Sequence, residues 1–132
     1  MQRDVKEYLE GSAQTRKFEA GEVIVQQGQL GDCAYAVKTG NVEVYRETAQ
    51  GIFILATLGE GEIFGEMALL RFDTYTLSVR AHNDCELYIL PPSLVNQQIK
   101  QTPPIIRQIM TALLDRMHDV NTALLDLDQT GT

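Results

Sequence analysis

Apolar residues in this chain change their spacing twice, and each change marks a different kind of structure. Near the start, Val5, Tyr8 and Leu9 stand three and four residues apart, the spacing of one helix face, and Gly11 predicts where it stops. A short amphipathic helix packed on the body of the domain is expected there. From Thr15 to Leu90 the period falls to two, with runs at Val23 to Val25, Ala34 to Val37, Val42 to Tyr45, Ile52 to Leu58, Thr76 to Ala81 and Glu86 to Leu90. Polar and glycine-bearing turns separate them, at Gly28 to Asp32, Thr39 to Asn41, Ala49 to Gly51, Gly59 to Glu62 and His82 to Asp84. About eight short strands at this spacing predict a mainly β domain, a jelly-roll barrel that leaves few open edges. The alternation places Val44, Ile54 and Leu87 on the inner face.

After Leu90 the spacing becomes helical again. Pro91 and Pro92 end the last strand, Ser93 is placed to cap a helix, and Leu94, Val95 and Ile99 give it an apolar face. Pro103 and Pro104 break that helix and begin a longer one. There Ile106, Met110, Leu113, Met117, Val120, Leu124 and Leu127 alternate steps of four and three, the pattern of a coiled-coil seam. A second stripe, Ile105, Ile109 and Ala112, covers another face of the first half only. A seam of this length predicts a parallel homodimer, with Ile106, Met110, Leu113, Met117, Val120 and Leu124 at the interface; a helix folded back on its own barrel is the alternative. Residues 1–128 therefore read as one domain with flanking helices, two of them C-terminal, and 129–132 as a disordered tail.

Composition narrows the class. The chain has 132 residues, 44% of them hydrophobic, enough for one soluble domain with a true core. Eighteen acidic against eleven basic residues give a net charge of -7, which argues against a nucleic-acid surface, since that needs cations to displace counterions. Cys33 and Cys85 are far apart, and His82 and His118 are the only histidines; neither pattern provides metal-ligand spacing. No nucleophile has a base at recognisable spacing, so a non-enzymatic protein without cofactor or metal is expected. Nowhere do eighteen apolar residues stand together, and the charged N-terminus carries no signal-peptide pattern, so no membrane association and a cytoplasmic location are expected.

One stretch carries candidate chemistry. Gly61 to Tyr75 reads G-E-I-F-G-E-M-A-L-L-R-F-D-T-Y. Gly65 permits a tight turn; the amides of a following helical turn lack partners and point outward. Glu66 beside them suits a sugar hydroxyl rather than a phosphate. Alone, such a motif is compatible with an ordinary loop entering a buried turn.

The flanks say more. G-E-V-I-V-Q-Q-G-Q-L-G-D-C-A-Y-A-V-K-T-G-N-V-E-V-Y stands before the motif and T-L-S-V-R-A after it. This succession, from about Phe18 to Asn121, resembles the cyclic-nucleotide-binding domain family, shared by catabolite activator proteins and the regulatory subunits of protein kinase A. The resemblance implies a ligand cassette at Phe64, Gly65, Glu66, Met67, Ala68, Leu69, Tyr75 and Thr76. Glu66 would accept from a ribose hydroxyl, and the turn at Met67 to Leu69 would hold the cyclic phosphate of cyclic AMP or cyclic GMP. It also implies that the long helix pairs two subunits.

The family's phosphate-pairing arginine, counted from Glu66 and checked against S-V-R-A, falls on Tyr75. A tyrosine is one neutral donor where guanidinium is a charged fork. Arg71 ends the same turn, with Asp73 as a competitor for it, and Arg80 reads as an outward-facing strand charge. Two functions are therefore expected: a regulatory module with weak or altered nucleotide binding that moves its C-terminal helices, or a dimerising scaffold that binds no nucleotide. The family's transcription factors continue after the long helix into a helix-turn-helix domain, and this sequence stops there; a separate effector protein is expected if the chain is complete, and an effector domain beyond Thr132 is the alternative.

Overall fold

The structure, a computed structural model, describes residues 3–71 and 74–129. Its contacts divide the chain into two units, Met1–Pro92 and Ser93–Thr132. The first opens with α1 (Arg3–Ser12) and carries eight strands: β1 (Gln14–Phe18), β2 (Val23–Val25), β3 (Ala34–Thr39), β4 (Val42–Thr48), β5 (Gly51–Leu58), β6 (Ile63–Phe64), β7 (Ser78–Ala81) and β8 (Cys85–Leu90), with α2 (Glu66–Arg71) between β6 and β7. They form two antiparallel four-stranded sheets, ordered β1-β8-β3-β6 and β2-β7-β4-β5. This is the predicted β jelly roll. The predicted first helix runs past Gly11 to Ser12, closed by the Ala13 amide on the Leu9 carbonyl.

Apolar residues from both sheets meet inside. Phe18, Val25, Val37, Val42, Val79, Ala81, Cys85 and Leu87 form one buried cluster, joined by Phe64, Ala68 and Tyr75 from the segment around α2. β8 is buried on both faces: Leu87 points into this cluster, while Tyr88 donates its hydroxyl to Glu10 of α1 and lies under the ammonium of Lys38. α1 is thereby tied to the outside of the first sheet, as its amphipathic pattern predicts. The turn between β3 and β4 is laced to the turn before β8, with the Asn41 amide donating to Asn83 Oδ1 at 2.8 Å and the His82 amide to the Asn41 carbonyl at 2.9 Å.

One inner-face expectation needs correcting. Leu87 is fully buried and Val44 half-buried against the core, but Ile54 is 48% exposed. β5 is the edge of its sheet, bonded only to β4, and its whole length is exposed up to Leu58. A register shift also interrupts the pairing, so that Val44 faces Ala56 and Tyr45 faces Ile54, with Leu55 passed over. A bulge of this kind reverses the phase of an alternation counted along the sequence.

The second unit holds α3 (Pro92–Lys100) and α4 (Pro104–Gln129). Proline opens each, where its fixed φ and missing amide cost nothing. α3 buries no residue, and Leu94, Val95 and Ile99 are half-exposed. On α4, Ile106, Leu113, Met117 and Val120 of the seam are exposed in the single chain, as are Ile105 and Ile109, while Met110 is half-buried. The side chains of Leu124 and Leu127, and residues 130–132, lie outside the described part. Among the described residues, no helix is long and apolar enough to cross a membrane.

Candidate functional site

The cassette is built from a strand pair. β6 lies against β3, with Tyr35 opposite Phe64 and Ala36 opposite Ile63. The Tyr35 and Phe64 rings stack at 5.3 Å and 19°, which fixes the direction of the chain as it leaves β6. Gly65 then turns at a φ of +81°, and a Cβ there would meet the Cys33 carbonyl oxygen at 3.2 Å and the Tyr75 ring at 3.4 Å. Conformation and space both demand glycine. α2 follows at once: Glu66 is its half-buried first residue, and Ala68 is buried in the core.

Tyr75 does not reach toward solvent. It is 7% exposed and belongs to the hydrophobic core. Its amide donates to the Gln29 carbonyl at 2.9 Å, and its carbonyl accepts from the Gly28 amide at 2.8 Å. The hydroxyl donates to the Cys33 carbonyl oxygen at 2.6 Å and lies 3.4 Å from the Cys33 amide, which donates back. Burial, reinforced by the charge of Asp32, pushes the Tyr75 hydroxyl above its usual pKa, against the opposing pull of its bond at Cys33. The same two causes raise the Cys33 thiol. Burial, then the neighbouring Tyr75, Cys33 and Asp32, pushes Tyr35 up to about 12. These groups are neutral at physiological pH.

The structure thus brings Phe64, Gly65, Ala68 and Tyr75 together, with Glu66 and the half-buried Thr76 adjoining them in the chain. The side chains of Met67, Leu69 and Arg71, and all of Asp73, lie outside the described part. Sequence reasoning missed Cys33 and the Gln29 carbonyl as partners of Tyr75; the glycines at Gly28 and Gly31 flagged a turn, but nothing local paired it with a residue 42 positions on.

Arg80 faces outward but is more than a solvated charge. Its Nε donates to Glu43 Oε2 at 3.1 Å, its guanidinium lies 4.9 Å over the Tyr45 ring, and His82 Nδ1 bonds to Glu43 Oε1. A cleft of about 590 Å³ lined by Lys17, Glu19, Glu22, Asp84 and Glu86 shares no residue with the cassette. Two of its carboxylates serve the backbone, Asp84 accepting from the Ala20 amide at 2.9 Å and Glu22 from the Glu19 amide at 3.2 Å, and Glu86 pairs with Lys38 at 3.8 Å. Among the described residues, no three or more His, Cys, Asp or Glu side chains are grouped to hold a metal.

The profile of the cyclic nucleotide-binding domain matches residues 15–102, the two sheets and the cassette together. The chain belongs to this family. The cyclic nucleotide-binding domain here is 32% identical over 100 residues to the human potassium/sodium hyperpolarization-activated cyclic nucleotide-gated channel 4, covering 76% of this chain but only 8% of the channel. It matches the EAL enzyme Bd1971 in its cGMP-bound form with a TM-score of 0.76 at 34% identity, over 86% of this chain and 30% of that one. The catabolite activator protein of Thermus thermophilus gives a TM-score of 0.72 at 32% identity, over 96% of this chain and 60% of that one. The domain is therefore of a kind found within a channel, an enzyme and an activator protein, and it spans a small part of the first.

Proposed function

We propose that this cyclic nucleotide-binding domain is a regulatory module that binds cyclic AMP or cyclic GMP weakly and passes binding to its C-terminal helices. The carrying observation is Tyr75: at the position that counting from Glu66 gives to the family's phosphate-pairing arginine stands a neutral side chain whose hydroxyl is already committed to Cys33. Gly65 and Glu66 keep their places, so a ribose hydroxyl would still find an acceptor. What is missing is a charge-assisted hydrogen bond, worth about 1.5 to 3 kcal/mol. The binding of cyclic GMP and cyclic AMP by the related EAL enzyme supports the ligand class. The seam on α4 supports a homodimer that a separate effector protein reads.

The burial of Tyr75 favours a second reading, a dimerising scaffold whose phosphate position is filled by its own core. Titration calorimetry with cyclic AMP, cyclic GMP and a cyclic dinucleotide separates the two. The native chain should bind weakly, and Tyr75→Arg should raise affinity for cyclic AMP by about one to two powers of ten, at a cost in melting temperature because a core ring is lost. Glu66→Ala in that background should remove much of the gain. Native binding below micromolar would overturn the weak-binding reading; no gain from Tyr75→Arg in a folded protein would favour the scaffold.

A further inference from the structure

We propose that Tyr75 is an internal latch that holds the cassette shut without any ligand. Two stretches of the chain meet on this one residue, the loop from Gly28 to Cys33 and the entry to the cassette at Gly65. Its backbone is paired with the Gly28 and Gln29 turn through two hydrogen bonds of 2.8 and 2.9 Å. Its ring lies against Gly65, close enough that a Cβ there would stand 3.4 Å from Cε1. Its hydroxyl closes the third side, donating to the Cys33 carbonyl at 2.6 Å and accepting from the Cys33 amide at 3.4 Å.

These links differ in what they depend on. The backbone pair survives any side chain at position 75, and the ring contact survives a phenylalanine. The loop before β3 is joined to the flank of the cassette by backbone at Gly28, Gln29 and Leu30, and the hydroxyl adds the one bond from Tyr75 to Cys33 that depends on the side chain. Cys33 leads directly into β3, and β3 carries β6 and so Gly65 through the Tyr35 and Phe64 pair. The hydroxyl bond therefore ties the entrance of β3 directly to the residue whose ring packs against Gly65. Without it, the half-buried Cys33 carbonyl loses its partner beside an apolar core, where an unpaired acceptor is costly. The chain itself, and not a bound molecule, supplies the order of the cassette.

Hydrogen exchange of the ligand-free full chain tests this, so its outcome is independent of whether any nucleotide binds. Tyr75→Phe, which keeps the ring, should speed exchange at Cys33, Ala34 and the amides of Gly65 to Leu70 by about tenfold, the factor one lost hydrogen bond represents. Exchange in β4 and β8 should stay as in the native chain. Gly65→Ala, which pushes a methyl group against the Cys33 carbonyl, should speed the same amides. Unchanged exchange in Tyr75→Phe overturns the latch, and so does an equal rise across both sheets, which would mark a general loss of stability.

Discussion

Gly40 is tightly confined by the turn before β8. Its φ is +85°, and a Cβ would stand 2.6 Å from both the Asp84 carbonyl oxygen and Cys85 Cβ. Backbone cannot move aside as a flexible side chain can, so Gly40→Ala should cost at least about 2 kcal/mol in urea denaturation. Gly28 has a similar φ of +89° but open space around it, so Gly28→Ala should cost only the conformational strain, about 1 kcal/mol. Equal costs at both sites would mean that the contact with Asp84 and Cys85 does not matter. Glu43 makes a second prediction. Its hydrogen bond to His82, then that to Arg80, holds its carboxyl below the usual value of 4.5. A carboxylate with a lowered folded pKa adds stability that is complete above the unfolded value and lost as pH falls through the folded one. Melting temperatures taken from neutral pH down to about 3 should therefore fall less steeply in Glu43→Gln than in the native chain. Identical acid slopes would remove Glu43 from the account.

At the scale of elements, β8 and β5 mark the two extremes of burial. β8 lies between β1 and β3 and is covered on both faces, so Leu87→Ala opens a void on every side and should cost about 2 to 5 kcal/mol. β5 is the edge strand, where Ile52, Phe53, Ile54 and Leu55 are each about half exposed. Ile54→Ala should cost less than about 1 kcal/mol, since little contact is lost. Chemical denaturation of both variants measures the contrast, and comparable losses would place β5 inside. The cassette lies between these cases: β6 is two residues long and α2 six, so their order rests on Phe64, Ala68 and Tyr75 entering the core rather than on helix propensity.

For the whole molecule, the decisive surface is the apolar seam of α4. Ile106, Leu113, Met117 and Val120 are exposed in the single chain and repeat at seam spacing, the arrangement of a helix that pairs with a second copy. Leu113→Glu combined with Met117→Glu would set like charges against each other across such a pair. Sedimentation velocity should then show a dimer for the native chain and a monomer for the double variant. A native chain that sediments as a monomer at micromolar concentration would refute the pairing.

Element types were legible in the sequence because period is local: two residues per pleat and 3.6 per helical turn are set by the backbone itself. Hence the strand runs and the proline-opened helices were readable from spacing, whereas the Gly65 and Glu66 turn was singled out by its resemblance to the family. The family resemblance, counted from Glu66, put Tyr75 where the family has its arginine. The tertiary structure alone decided what that tyrosine does, because its hydroxyl partner lies 42 residues away. It also decided that Gly40 answers to Asp84 and Cys85, and that Ile54 lies on an edge rather than inside. Each of these depends on which strand lies beside which, and on one bulge in β4 and β5. Sheet order and register come from the packing of distant segments, and no period along the chain encodes them.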